Sequence, residues 1–158
     1  MVPVFAAGNS GPWPKTVGTP GGYPHSFAVG ATNARDKATG FSSRGPITWD
    51  GVKHTKPDIS APGNAVLSAK PGGGYQKMSG TSMACPHVAG LAALVLEANP
   101  DYSVDQVEDL LESTSKDLGK DGKDNTYGHG RADIKAAIDQ LKGSSTTRQD
   151  QFNEIYSD

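Results

Sequence analysis

Consecutive apolar residues run from Val88 to Leu96 without a polar side chain between them. A helix that is apolar on all of its faces is normally a buried one, so this stretch predicts a helix covered on every side. Mostly small and polar residues, from Ser79 to Ala84, lead directly into it and suit the start of a helix. The hydrophobic pattern therefore predicts a central buried helix with Ser82 on its first turn.

Shorter apolar runs predict strands. Val2 to Ala7 ends at a glycine, and Phe27 to Ala31 is likewise continuous, as in strands buried on both faces of a parallel sheet. Ala65 to Ala69 and Tyr75 to Met78 flank Pro71-Gly72-Gly73-Gly74, which predicts a hairpin turn. This glycine run does not match a phosphate-binding loop, because no Gly-Lys-Ser or Gly-Lys-Thr follows it.

Two further helices are predicted after the central one. Ser103 and Gln106 have the spacing of a capping box, and the apolar residues behind them recur on one helical face. The residues on that face are Val104, Val107, Leu110, Leu111 and Thr114. A last helix is predicted from Asp133 to Leu141, before a polar segment begins.

Composition limits the classes of protein that fit. The 158 residues suffice for one domain with a hydrophobic core, placed at 1–142, followed by a polar tail or linker over 143–158 that is predicted to be disordered. A net charge of −2 gives no electrostatic reason to expect nucleic acid or anionic lipid as a partner. No segment reaches the roughly 18 consecutive apolar residues of a membrane span. Cys85 is the single cysteine, so an internal disulfide is excluded, and a small buried hydrophobe is favoured over a reactive thiol.

Ser82 has the predicted surroundings of a nucleophile. A helix N-terminus leaves backbone N–H groups without partners, and such donors suit a developing oxyanion. Gly80 lets a substrate backbone come close, while Thr81 adds a hydroxyl and is expected to cap the helix. Local chemistry alone also fits a simple N-cap without catalysis, so both interpretations stay open at this point.

The whole string from Ser79 to Gly90, SGTSMACPHVAG, resembles the nucleophile signature of the subtilisin-like serine proteases, the subtilases. By that resemblance Ser82 is the nucleophile, and the fold is a partial subtilisin-like α/β fold, a parallel sheet flanked by helices. The segment from Ala6 to Gly11 resembles the oxyanion-hole segment of the same family. It implies that the Asn9 amide donates to the tetrahedral intermediate, although Asn beside Gly is also an ordinary turn residue.

A third segment, Tyr23 to Ala31, resembles the part of subtilases that shapes the primary specificity pocket. The resemblance implies a cis bond between Tyr23 and Pro24, and it places Gly22 near the pocket floor. The residues implied to contact substrate besides Gly22 are Ala6, Ala7 and Gly8, as one wall, with Gly80 and Thr81.

The resemblance also assigns structural roles. Asp58 is an alternative candidate for a catalytic acid, but the family pattern makes it structural. The segment from Tyr127 to Asp133 resembles a motif that anchors the last helix. The resemblance makes His87 a packing residue behind the nucleophile. Five residues along a helix place it about 140° around the axis from Ser82, so its side chain is expected to point away from the serine hydroxyl.

The resemblance covers residues 2–142 but only the C-terminal half of a subtilase catalytic domain. No segment corresponds to the catalytic Asp and His segments, and surface or structural roles fit the four histidines better, namely His25, His54, His87 and His129. We therefore expect the chain alone to be inactive and marginally stable, with the missing N-terminal half of the domain as its partner.

The leading hypothesis is a serine endopeptidase that hydrolyses peptide bonds through an acyl-enzyme at Ser82. The alternative is a non-enzymatic pseudoprotease that binds a peptide or a complementary chain. A Gly-x-Ser-x-Gly hydrolase is excluded because Ala84 stands where the second glycine belongs. No cofactor is needed for the chemistry. The family resemblance allows structural calcium and favours secretion, although the loop from Asp117 to Asn125 lacks the spacing of an EF-hand.

Overall fold

The computed structural model describes residues 1–143, so all but the first residue of the predicted tail over 143–158 lies outside the described part. The strands are β1 (Val4–Ala6), β2 (Phe27–Thr32), β3 (Ile47–Trp49), β4 (Val52–His54), β5 (Ile59–Pro62), β6 (Val66–Ala69) and β7 (Tyr75–Met78). The helices are α1 (Thr81–Ala98), α2 (Val104–Ser113) and α3, which covers 134–143.

The central sheet is parallel and has the order β1-β2-β5. Phe5 pairs with Ala28, and Gly30 pairs with Ser60, in the register of a parallel ladder. β2 is buried along its whole length, as its continuous apolar run predicts. With α1 packed on the sheet and α2 packed on α1, the predicted α/β class with helices beside a parallel sheet is confirmed.

Helix α1 is buried on one face only, so the prediction of burial on every side is wrong for this chain. The buried residues recur every three or four positions at Thr81, Ala84, Val88, Ala92 and Val95. Leu94, on the other side, is 46% exposed. The physical reason is that the sheet and α2 cover only part of the helix among the described residues.

By length and mean hydropathy, α1 passes the criteria for a membrane-crossing helix among residues 1–143. The expectation from the sequence concerned a run of roughly 18 consecutive apolar residues, and α1 is not such a run because it contains Ser82, His87 and Glu97. Its packing against β1, β2 and β5 is that of the core helix of a globular domain.

Helix α2 begins with the predicted capping box. The Ser103 hydroxyl accepts from the N–H of Gln106 at 3.2 Å, and the Gln106 side chain accepts from the N–H of Ser103 at 2.9 Å. Val107, Leu110 and Leu111 then bury the predicted face, whereas Thr114 lies just beyond the helix end.

Replacing Ser103 by alanine should lower the free energy of unfolding by about 1 kcal/mol, because the N–H of Gln106 loses its acceptor. Urea denaturation followed by circular dichroism measures this loss. Replacement of exposed Ser68 by alanine is the control, and equal stability of the two variants would contradict the role of the cap.

Two hairpins extend from the domain. Strands β6 and β7 pair antiparallel around the glycine turn, as predicted. Strands β3 and β4 form a second hairpin that was not predicted, although Asp50-Gly51 is a typical dipeptide of a two-residue turn. Both turn residues have positive φ, 46° and 77°. Trp49 of this hairpin packs edge-on against Tyr23, with ring centroids 5.2 Å apart.

Candidate active site

Ser82 is the second residue of α1, and its side chain is exposed. Its backbone N–H has no acceptor within the helix, because the residue four positions earlier precedes the helix. Gly80, just before α1, donates its N–H to the carbonyl of Gly63 at 2.8 Å. The turn after β7 is thereby fixed to the turn after β5, and it presents the serine at the helix start.

The Asn9 side chain meets the start of α1 from the loop that follows β1. Its Oδ1 accepts from the N–H of Thr81 at 2.9 Å and from the Thr81 hydroxyl at 3.0 Å. A Cβ added at Gly80 would lie 3.5 Å from Asn9 Nδ2. The structure thus brings Asn9 beside the serine-bearing turn across 72 residues of sequence.

Thr81 does not cap α1, and this part of the prediction is wrong. The N-cap position is Gly80, which has no side chain to accept a hydrogen bond. Thr81 is fully buried, and its hydroxyl accepts from the N–H of Gly8 at 3.2 Å while it donates to Asn9. The capping acceptor is therefore the distant Asn9 amide, and Thr81 joins the two halves of the site.

Ser43 holds the Asn9 loop from the opposite side, a role that sequence reasoning did not assign. Its hydroxyl accepts from the N–H of Ser10 at 3.0 Å, and its N–H donates to the carbonyl of Gly8 at 2.9 Å. Gly8 has φ +107°, and an added Cβ would lie 2.9 Å from Ser43 Oγ. A glycine is therefore required where the loop turns.

The wall and floor predicted for the pocket do adjoin one another. The N–H of Gly18 donates to the carbonyl of Ala7 at 3.1 Å, and the N–H of Gly22 donates to the carbonyl of Gly18 at 2.8 Å. A Cβ added at Gly21 would lie 2.9 Å from the carbonyl oxygen of Ala6. Gly21, which was not singled out, thus approaches the wall more closely than Gly22.

The predicted cis bond between Tyr23 and Pro24 is not found. A cis bond joins Thr19 to Pro20, just before this segment, instead. Both are X–Pro bonds with the same tertiary amide, so local chemistry does not distinguish them, and tertiary context decides.

An open cavity of about 310 Å³ lies beside Ser82. Its lining residues are Val66, Leu67, Ser68, Ser82, Met83, Pro86 and His87. His87 is exposed, and its Nδ1 lies 2.7 Å from the carbonyl oxygen of Met83, so the predicted packing role is wrong. Within residues 1–143, no histidine or carboxylate is hydrogen-bonded to the Ser82 hydroxyl.

The remaining histidines lie away from Ser82. His25 and His54 line a cavity of about 640 Å³ beside Tyr23 and Trp49. His129 Nε2 lies 3.2 Å from Glu112 Oε2, at the side of a separate cavity next to α2. These positions agree with surface or structural roles.

The pair formed by Glu112 and His129 tends toward its neutral form. Burial raises the pKa of Glu112 to about 7, an effect that the Lys123 ammonium opposes. Burial, with the same ammonium, lowers the pKa of His129. A raised carboxyl pKa means that the folded state loses stability as the pH rises from about 4.5 to about 7.

Replacing Glu112 by glutamine should remove that loss. We expect the variant to be more stable than the parent chain at pH 8 by about 1–3 kcal/mol and equally stable at pH 4. Denaturant titrations at the two pH values measure the difference. Replacement of the exposed Glu97 by glutamine is the control, and a constant offset at both pH values would contradict the pKa assignment.

Structural calcium, which the family resemblance allows, stays a prediction. No group of three or more acidic, histidine or cysteine side chains within 1–143 is arranged to hold a metal ion. In the loop from Asp117 to Asn125, Asp117 accepts from the N–H of Gly122, and Asp124 accepts from backbone N–H groups including that of Lys120. Their carboxylates are thus occupied in shaping the loop.

Comparison with known proteins matches the chain to one family of serine peptidases. A model described as the Subtilase family, peptidase S8, matches residues 1–130. Bacillopeptidase F of Bacillus subtilis (strain 168) is 44% identical over 147 residues, which cover 87% of this chain and 10% of that protein. Subtilisin E of the same strain is 42% identical over 139 residues, which cover 87% of this chain and 33% of that protein.

A solved structure shows the same architecture. Sphericase superposes with a TM-score of 0.74 at 38% identity, over 80% of this chain and 46% of its own. The parallel sheet and its helices thus form a partial subtilisin-like fold. The chain spans less than half the length of each of these three relatives.

Proposed function

Because the chain belongs to the subtilase family, we propose that it supplies the nucleophile and the oxyanion site of a serine endopeptidase. The contact that carries this proposal is the pair of hydrogen bonds from Thr81 to Asn9 Oδ1. Those bonds use Oδ1, so Asn9 Nδ2, 3.5 Å from the position of a Cβ added at Gly80, is the proposed donor beside the start of α1. The substrate class is a peptide bond in a flexible polypeptide segment.

In the proposed reaction, Ser82 Oγ attacks the peptide carbonyl carbon and its proton passes to a general base. The Ser82 N–H and the Asn9 amide stabilise the negative charge on the carbonyl oxygen. The leaving amine departs with a proton, and water then hydrolyses the acyl-enzyme. The base and the carboxylate that orients it are proposed to come from a histidine and an aspartate outside residues 1–143, in the N-terminal half of the catalytic domain.

The exposed side of α1 and the free edge of β1 are where that half would pack. Leu94 leaves apolar surface in water, and β1 pairs only with β2 within the described residues. An apolar helix side and an unpaired strand edge both favour association with another polypeptide. We propose the complementary half of the domain as this partner.

The second candidate is a pseudoprotease that binds a peptide without cleaving it. It is favoured by one observation, the lack of a hydrogen-bonded histidine or carboxylate at Ser82 within 1–143. The proposed donors beside the Ser82 hydroxyl, the Ser82 N–H and the Asn9 amide, are not required for binding a peptide without cleaving it. Their presence therefore favours the peptidase over the pseudoprotease.

Labelling of Ser82 by a fluorophosphonate separates the two candidates. The chain alone is expected to react no faster than free serine, because an unassisted hydroxyl is a weak nucleophile at neutral pH. Addition of a polypeptide that carries the Asp and His segments of a subtilase should produce covalent labelling, detected by intact mass. Failure to label although the two halves associate by size-exclusion chromatography would support the pseudoprotease.

A further inference from the structure

Lys56 is a buried lysine, with 1% of its side chain exposed. Its Nζ donates to the carbonyl oxygen of Ser26 at 2.5 Å and to Asp58 Oδ2 at 2.6 Å. An ammonium group removed from water is costly unless it is paired and hydrogen-bonded. The two short contacts meet that requirement, and they place a fixed positive charge at the beginning of β2.

Asp58 is itself held firmly. Its Oδ2 accepts from the N–H of Ala28 at 2.8 Å, and its Oδ1 accepts from Lys123 Nζ at 2.9 Å. The carboxylate is therefore tied to β2 and to the loop that precedes the Tyr127 segment. The Lys56 ammonium is anchored to this rigid carboxylate.

The same ammonium also contacts the pocket loop, through the Ser26 carbonyl. Ser26, which accepts from Lys56, donates its hydroxyl to the carbonyl of Pro20 at 2.8 Å. Pro20 directly precedes Gly21, whose α-carbon faces the carbonyl of Ala6 so closely that an added Cβ would lie 2.9 Å from it. A continuous chain of contacts thus runs from the ammonium to the floor of the pocket.

We propose that Lys56 is a positioning residue whose ammonium acts as an internal cation that holds the loop Thr19–Ser26 against the wall formed by Ala6 to Gly8. Without the cation, the Ser26 carbonyl would lose its donor and would face the Asp58 carboxylate, another acceptor, with no donor between them. That the loop lines a substrate pocket rests on the proposed function, whereas the cation-held loop does not depend on it.

The experiment must separate the effect of the Lys56 ammonium from the effect of packing by its alkyl chain. Replacing Lys56 by alanine leaves room for a small alkylammonium ion between Ser26 and Asp58. Amide hydrogen exchange at Gly22, Ser26 and Ala28, whose N–H groups are hydrogen-bonded in this region, should become at least about tenfold faster. Millimolar propylammonium chloride should restore slow exchange, while tetramethylammonium chloride, which has no N–H donor, should not.

The matched control is replacement of exposed Lys53 by alanine, which should leave exchange in the loop unchanged. Should the alanine variant at Lys56 fail to fold, Lys56→Met keeps most of the alkyl packing and removes the ammonium donor to Ser26 and Asp58. It should accelerate exchange in Thr19–Ser26 but not in β6 or β7. Unchanged exchange in the loop, or equal restoration by the two ammonium salts, would overturn the proposal.

These measurements need no catalytic activity, so they are independent of the proposed peptidase. In a preparation completed with the N-terminal half, the Lys56 variant should raise KM for peptide substrates more than it lowers kcat. Loss of kcat with unchanged KM would mean that the loop does not line a substrate pocket, even where the exchange data support the cation.

Discussion

Replacing Ser82 by alanine is expected to lower kcat for peptide hydrolysis by about 10⁶-fold in a protein completed with the His and Asp segments. This is the loss found when the nucleophile of subtilisin itself is removed. The physical reason is that the methyl side chain of the variant offers no oxygen to form the acyl-enzyme, so only binding and oxyanion stabilisation remain. Turnover of a chromogenic peptide substrate, measured with and without the complementary half, tests this expectation.

Ser68 provides the control for this substitution, because it lines the same cavity as Ser82 and is exposed. Ser68→Ala should keep kcat within about twofold of the parent. In the chain alone, both variants and the parent should stay at the background rate. Equal activity of the two variants in the completed protein would mean that Ser82 is not the nucleophile.

Replacing Asn9 by alanine should lower kcat by about 10² to 10³, the range known for the corresponding donor in subtilisin. The same substitution should also lower the free energy of unfolding by about 1 kcal/mol, because the N–H of Thr81 loses its capping acceptor. The proposed oxyanion contact uses Nδ2 of the amide, and the cap uses Oδ1. The two roles can therefore be separated by chemistry.

Asn9→Asp makes that separation, since it keeps an acceptor for Thr81 and removes the NH₂ donor. It should retain the stability of the parent and lose at least as much kcat as the alanine variant, because a carboxylate repels the developing oxyanion. Steady-state kinetics gives kcat for both variants, and urea denaturation gives their free energies of unfolding. An aspartate variant that kept the parent kcat would contradict the oxyanion role of Asn9.

Strands β1 and β2 and the hairpin around the glycine run were predictable because apolar runs and turn residues are local signals. The partial burial of α1 was not predictable. The apolar stretch from Val88 to Leu96 indicates that the helix favours burial on all sides, but it does not indicate which elements pack against each side. The β3–β4 hairpin was missed although its signal, the turn dipeptide Asp50-Gly51 between Trp49 and Val52, was present in the sequence.

The candidate site was predictable in part. Ser82 and Asn9 were found through family resemblance, and the contact between Asn9 and Thr81 joins segments that are too far apart for any local pattern. Thr81 was assigned as a cap because threonine is a good N-cap residue, whereas here an amide from elsewhere takes that place. Lys56 gave no signal, since a lysine in a polar stretch is normally exposed.

The half-covered helix α1 also governs how the chain can be handled in the laboratory. A charged side chain introduced at Leu94 would improve solubility of the chain on its own, because that position faces water. The same charge would be buried in an apolar interface, at a cost in free energy, once another polypeptide packed against this side of α1. A substitution on this side of α1 that makes the isolated chain more soluble is therefore expected to weaken its association with another polypeptide.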